Sequence, residues 1–141
     1  MTRTRSWICA GVLWLFPTLG FPVDMADVPV VTNLVLVPGS GPAGSQVVVR
    51  LHLFDRQGIG NIIPLLYEVR EGIEESRVPI YDDGRHGDLL PNDGFFAGRM
   101  TIPLNLVPGP HWFVVFLFDR EGHRSNLLID EFTVTGIRKT I

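Results

Sequence analysis

The chain has 141 residues, with 12 Lys or Arg against 15 Asp or Glu, 45% hydrophobic residues and a single cysteine. One core of the usual size, about 100–150 residues, fills that length. The acidic balance, without a basic stripe to bind phosphate, argues against a nucleic-acid partner.

Residues 1–20, MTRTRSWICAGVLWLFPTLG, place Arg3 and Arg5 ahead of a largely apolar run from Trp7 to Leu19. Thr18 and Gly20 are small enough for a signal peptidase, so the segment reads as a signal peptide cleaved near Gly20. Retention as an anchor is the weaker reading, because the run is shorter than the roughly 20 residues that cross a bilayer and Pro17 interrupts it. The chain is therefore expected to be secreted, periplasmic or at the cell surface, with membrane contact only through an uncleaved signal segment. Lipidation at Cys9 is disfavoured, since Trp7 and Ile8 stand where a small residue and an apolar stretch are needed. Cleavage removes the only cysteine and leaves ten Lys or Arg against 15 Asp or Glu from Phe21 onward, a net of −5. An exported chain without a disulfide draws its stability from an apolar core, with bound ions as the other available source. Residues 21–28 then form a short linker and 29–141 a single domain.

From residue 30, short apolar runs recur between clusters of Gly, Pro, Asn and Asp, the pattern of an all-β sandwich or barrel. They are VVTNLVLV (30–37), QVVVRLHLF (46–54), IIPLLYEV (62–69), SRVPIY (76–81), FFAGRMTIPL (95–104), HWFVVFLF (111–118) and LLIDEFTV (127–134). These predict about seven strands and no long helix. Successive side chains on a strand point to opposite faces. In the second run Val47, Val49, Leu51 and Leu53 share one face, with Gln46, Arg50 and His52 opposite. In the third, Ile63, Leu65, Tyr67 and Val69 are expected on the buried face, with Glu68 and Arg70 in water. The fold class read from this alternation is a two-sheet antiparallel sandwich.

In the sixth run, Trp112, Val114, Phe116 and Phe118 alternate with Phe113, Val115 and Leu117, so both faces are apolar. The favoured reading is a central strand covered on its second face by the tail or a loop. The other reading is an exposed aromatic patch for a partner or a sugar ring. Two hexapeptides nearly repeat, LFDRQG (53–58) and LFDREG (117–122), each closing an apolar run. Asp starts each turn and Gly supplies its left-handed residue.

The segment Ile80-Tyr81-Asp82-Asp83-Gly84-Arg85-His86-Gly87-Asp88, followed by Asn92-Asp93-Gly94-Phe95-Phe96, resembles the DDG-x-HGD…DG-x-[FY] signature of immunoglobulin-like modules in secreted bacterial proteins, including the choice-of-anchor X type. The likeness is tight over about sixteen residues and loose over the surrounding strand order. It departs at Pro91-Asn92, where a small residue usually precedes the second Asp-Gly. It implies an immunoglobulin-like sandwich serving as an accessory or surface-display unit, and no enzyme activity follows from it. In such an order the two hexapeptide turns are the B–C and F–G loops at one end of the sandwich.

Three readings compete for Asp82 to Gly94. Ca²⁺ takes about 6–8 oxygen ligands, and Asp82, Asp83, Asp88 and Asp93, with Asn92 as a neutral donor, offer enough in one loop. The spacing is not that of an EF-hand. Equally supported is a purely structural loop, in which Asp and Asn cap turns and Gly84, Gly87 and Gly94 take positive φ. The least supported is catalysis by paired carboxylates, which also requires a shaped cleft. No Gly-x-Ser-x-Gly elbow, P-loop or zinc-spaced His pair is present, and His52, His86, His111 and His123 fall in different runs.

The expectation is an exported non-catalytic binding or structural module, with Ca²⁺ as its only candidate cofactor and a protein or polysaccharide as partner. One alternative is a carbohydrate-binding module using Trp112, Phe113 and Phe116, or a weak glycoside-active protein using the acidic loop. Another is a subunit of an extracellular assembly joined through an edge strand.

Overall fold

The computed structural model describes residues 27–70 and 73–136, with side chains in the second stretch from 76 onward. The expected signal peptide and most of the linker lie outside these residues. Eight strands follow in order: β1 Val30–Val37, β2 Ser40–Gly41, β3 Gln46–Phe54, β4 Leu65–Arg70, β5 Ile73–Pro79, β6 Phe95–Thr101, β7 Gly109–Phe116 and β8 Leu128–Val134. They form a three-stranded sheet, β1-β3-β6, facing a five-stranded sheet, β2-β8-β7-β4-β5. The result is an all-β, immunoglobulin-like two-sheet sandwich. No helix among the described residues is long and apolar enough to cross a membrane.

The strand beyond the seven expected is β2. After Val37–Pro38 the chain leaves the small sheet, and Ser40–Gly41 joins the large one as a parallel partner of Thr133–Val134. Two residues carry no hydrophobic alternation, so the sequence held no signal for it. The other pairings between strands are antiparallel. Ile80 to Gly94 occupies the place of a fourth strand in the small sheet. Only Tyr81 pairs there, exchanging both backbone bonds with Ala97 at 2.8 and 2.9 Å.

The core lies between the sheets. Val47, Val49, Leu51 and Leu53 of β3 face Phe113, Val115 and Leu117 of the β7 run and Phe132 and Val134 of β8, all buried. In β3 the buried set is the one its alternation predicts. In β4 the expectation is inverted: Leu66 and Glu68 are buried, while Leu65, Tyr67 and Val69 are half-buried on the outer side. Register explains the inversion, because Glu68 pairs with the buried Val115 and Tyr67 with Phe116, and directly opposite residues share a face. The apolar residues counted toward the core instead build an aromatic outer face. There Tyr67 stacks on Phe116 at 5.5 Å and meets Phe118 edge-on at 5.3 Å.

Strand β7 is central, between β8 and β4, as expected. Its second face is covered by a loop only in part among the described residues, and the tail beyond 136 lies outside them. Trp112 is 60% exposed, and the Phe116 ring is shielded by Tyr67 and by Arg124, whose guanidinium carbon lies 5.5 Å from it.

The two repeated hexapeptides adopt one turn. Asp55 and Asp119 are both buried; each carboxylate accepts the N–H two residues on, from Gln57 at 2.7 Å and Glu121 at 2.9 Å. Gly58 and Gly122 follow at φ 98° and 89°. The turns meet at one end of the sandwich, where Arg120 N–H donates to Asn61 O at 2.8 Å and Arg120 Nε to Gly60 O at 3.0 Å.

Candidate functional site

The acidic connection is footed on Ile80 and Phe96, both buried. Between them the chain lies across the outer face of the small sheet. Arg50 Nε of β3 donates to Gly87 O at 2.8 Å, and Leu53 N–H donates to Gly94 O at 3.0 Å. Gly87 takes φ 100° with Val48 directly beneath it, so a side chain at 87 would meet both a strained backbone and the sheet. His86 and Asn92 also adopt positive φ, 56° and 60°. Beneath the loop a cavity of about 260 Å³ is lined by Arg50, Asp88, Leu89, Leu90, Asp93 and Phe95 among others.

Of the five residues singled out as oxygen donors, the fold groups Asp82, Asp88 and Asp93, with one carboxylate oxygen of each within 4.8 Å of the other two. Each also holds the backbone. Asp82 accepts the N–H groups of Asp93 at 3.2 Å and Gly94 at 3.0 Å. Asp88, buried, accepts Gly84 N–H at 2.7 Å, and Asp93 accepts Phe95 N–H at 2.9 Å. Asp83 is not in this group. Its carboxylate accepts Arg85 N–H at 2.8 Å and lies 3.1 Å from His86 Nδ1, while the His86 ring stacks on Tyr81 at 4.2 Å. Asn92 contributes through its backbone, its N–H reaching Asp82 O at 3.4 Å.

A second group, Asp119, Glu121 and His123, sits in the later hexapeptide turn. Sequence reasoning missed it because the histidines were judged by their scatter, whereas the informative pattern is the local Asp-x-Glu-x-His. Asp119 accepts His123 N–H and the His123 ring nitrogen Nδ1, each at 2.8 Å. Burial pushes the Asp119 carboxyl up, but the bonds from His123 and from Glu121 N–H outweigh it and hold the group below its ordinary 3.8. The bond from Asp119 raises His123 above its ordinary 6.5 against some desolvation, with the charges of Asp119, Glu121 and Asp27 adding to the rise. Chemically this group is an ion-paired lock on the turn.

Of the aromatic residues named for sugar binding, Phe113 is fully buried, Phe116 is shielded, and Trp112 alone presents an open ring. Both ends of β1 are covered from the other sheet. Asn126 takes Val31 N–H and gives its amide to Val31 O, at 2.7 and 2.8 Å, and Asp130 accepts Leu36 N–H at 2.9 Å.

No protein-family model and no curated relative matches the chain. Among solved structures it is similar to the PKD domain of an M14-like peptidase from a Thermoplasmatales archaeon, at TM-score 0.49 and 16% identity over 78% of this chain and 98% of that one. It is also similar to a conjugative transposon lipoprotein from Bacteroides eggerthii, at TM-score 0.41 and 17% identity over 74% and 95%. Likenesses of this degree bring neither activity nor partner to this chain.

Proposed function

We propose that the chain is an exported, non-catalytic module of the secreted, periplasmic or cell-surface space, a rigid two-sheet sandwich whose acidic connection is ordered by one Ca²⁺ ion. The observation that carries this reading is the grouping of Asp82, Asp88 and Asp93 within 4.8 Å. That spacing is about twice the 2.3–2.6 Å of a Ca²⁺–oxygen bond, so three ligands at this separation suit a single ion. The donor set is all oxygen, which selects a hard cation over zinc or copper. When bound, the ion supplies charge neutralisation for three carboxylates crowded on one loop.

The same hydrogen bonds favour a structural role over catalysis. The grouped carboxylates each accept backbone N–H groups of their own loop, so their oxygens are engaged in holding the turn. Strand addition to the small sheet has less support, because Asn126 in the loop before β8 and Asp130 of β8 take the Val31 and Leu36 amides of edge strand β1, and Tyr81 takes the edge of β6.

Thermal unfolding with EDTA and with added Ca²⁺ tests the reading. A ligand at about 100 times its Kd stabilises by about 2.7 kcal/mol, so Ca²⁺ should raise the Tm by several degrees and EDTA reverse it. Asp88→Ala and Asp93→Ala should each abolish the response. Identical curves in EDTA and Ca²⁺, with both variants still lowering the Tm, would reduce the aspartates to turn caps.

A further inference from the structure

We propose that Trp112 forms the platform of a binding cleft for a polysaccharide chain, on the outer side of the five-stranded sheet. The cleft measures about 470 Å³ and is lined by Trp112, Val114, His111, Asn105 and Arg70 among others. Trp112 points outward because its neighbour Phe113 is fully buried, and it is 60% exposed. An indole left open to water beside a cleft of mixed polar and apolar lining is the arrangement that binds a ligand with an apolar face and a polar edge. A pyranose ring has that chemistry, with C–H groups on its face and hydroxyls around its rim.

The surrounding groups supply both halves of hydroxyl recognition. The Asn105 amide has no hydrogen-bond partner among the described residues and offers donors and an acceptor. His111 donates from Nε2 to Val107 O at 2.7 Å, which leaves Nδ1 of the neutral ring as an acceptor. Glu131 stands directly across from Trp112 on β8, so its carboxylate shares the outer face. The Arg70 guanidinium at the cleft is already paired with Glu68 at 2.8 Å, which disfavours a polyanion.

A protein occupant fits less well. A stable interface needs about 800 Å² per partner with an apolar centre. Beyond the cleft, Ile129 is exposed opposite Val114, but the rings of this face carry guanidinium groups, Arg77 at 5.2 Å from Tyr67 and Arg124 at 5.5 Å from Phe116. Those rings are already engaged, which leaves Trp112 as the open ring of this face among the described residues. This inference stands apart from the Ca²⁺ reading, since the cleft contains none of the aspartates of the acidic loop.

The test uses the full chain carrying Trp7→Phe and Trp14→Phe, which leaves Trp112 as the sole indole. Titration with cellohexaose and with chitohexaose should give, for at least one of them, a saturable shift of the emission to shorter wavelength. In the chain with its native Trp7 and Trp14, Trp112→Ala should weaken retention on the corresponding polysaccharide in affinity electrophoresis by about tenfold or more, and Trp112→Phe by less. Asn105→Ala, on an exposed loop, should weaken it independently, and an unchanged Tm in both variants shows that folding is intact. The proposal is overturned by no shift with either sugar up to about 10 mM, or by retention that Trp112→Ala leaves unchanged. A shift that follows protein concentration, with a second copy seen by size-exclusion chromatography, would overturn it in favour of self-association.

Discussion

Glu68 gives the most demanding test of the strand faces. Its side chain is 2% exposed; Oε1 pairs with Arg70 Nε at 2.8 Å and Oε2 accepts the Ser76 hydroxyl at 3.0 Å. The Arg70 side chain is itself only 13% exposed. Glu68→Ala removes the carboxylate that pairs with that guanidinium at 2.8 Å. Breaking a buried pair costs about 3–5 kcal/mol. Arg70 keeps a little water and its seat 5.5 Å from the Phe113 ring, which lowers the expectation to about 2–4 kcal/mol. In a domain of roughly 100 residues each kcal/mol moves the Tm by about 5 °C, so a fall of about 10–20 °C is expected. Circular dichroism melts at low and high salt measure it, and the loss should depend little on salt because the pair is screened by protein. Glu68→Leu with Arg70→Met should recover most of the stability, since an apolar pair can replace a buried ionic one. A single Glu68→Ala variant within about 0.5 kcal/mol of the parent, as for an ordinary surface substitution, would refute the inward placement.

Two further predictions concern the loops. Gly87→Ala adds a side chain at φ 100° directly over Val48, so the left-handed cost of about 1–2 kcal/mol and an overpacking cost of about 1–3 kcal/mol should both appear in urea unfolding. Adding Val48→Ala should relieve only the packing part, and full relief or none would contradict the geometry. The Asp119 and His123 pair predicts a stability maximum between its two titrations. With the folded Asp119 pKa held below 3.8, its contribution is complete above that value and lost as pH falls through the lower folded pKa. With the folded His123 pKa raised above 6.5, its contribution is complete below 6.5 and lost as pH rises through the raised pKa. Asp119→Asn should flatten both limbs of the Tm against pH, and limbs unchanged in that variant would assign the pH dependence elsewhere.

How far the sequence reaches differs from strand to strand. Strand β3 is legible because its alternation is strict and its polar residues, Gln46, Arg50 and His52, have no buried partner to draw them inward. Strand β4 misleads for the opposite reason. Glu68 finds Arg70 and Ser76 inside, and Tyr67 finds Phe116 and Arg77 outside, so pairing across strands overrides the polarity of single residues. The paired turns after Leu53 and Leu117 are legible since Asp and Gly act locally. Which acids converge is not, because Asp82 meets Asp93 eleven residues away through a turn set by left-handed Gly84, Gly87 and Asn92. Composition nominated five donors; only the path of the chain separates Asp83, turned toward His86, from the three that meet.

That path also divides the molecule into two outer faces. The small sheet spends its outer face on holding the acidic connection, through Arg50 and Val48 under Gly87 and through Leu53 beside Gly94. Among the described residues the outer face of the large sheet holds Tyr67 and Phe116 under arginine and leaves Trp112 open. Sheets in a sandwich stand about 10 Å apart with a packed core between them. Groups separated by that distance and sharing no partner act additively on stability. Ordering of the acidic loop therefore reaches the Trp112 cleft only through the stability of the whole fold, and a ligand on one face leaves the intrinsic affinity of the other unchanged. The arrangement suits a module in which one face is devoted to rigidity and the opposite face to contact.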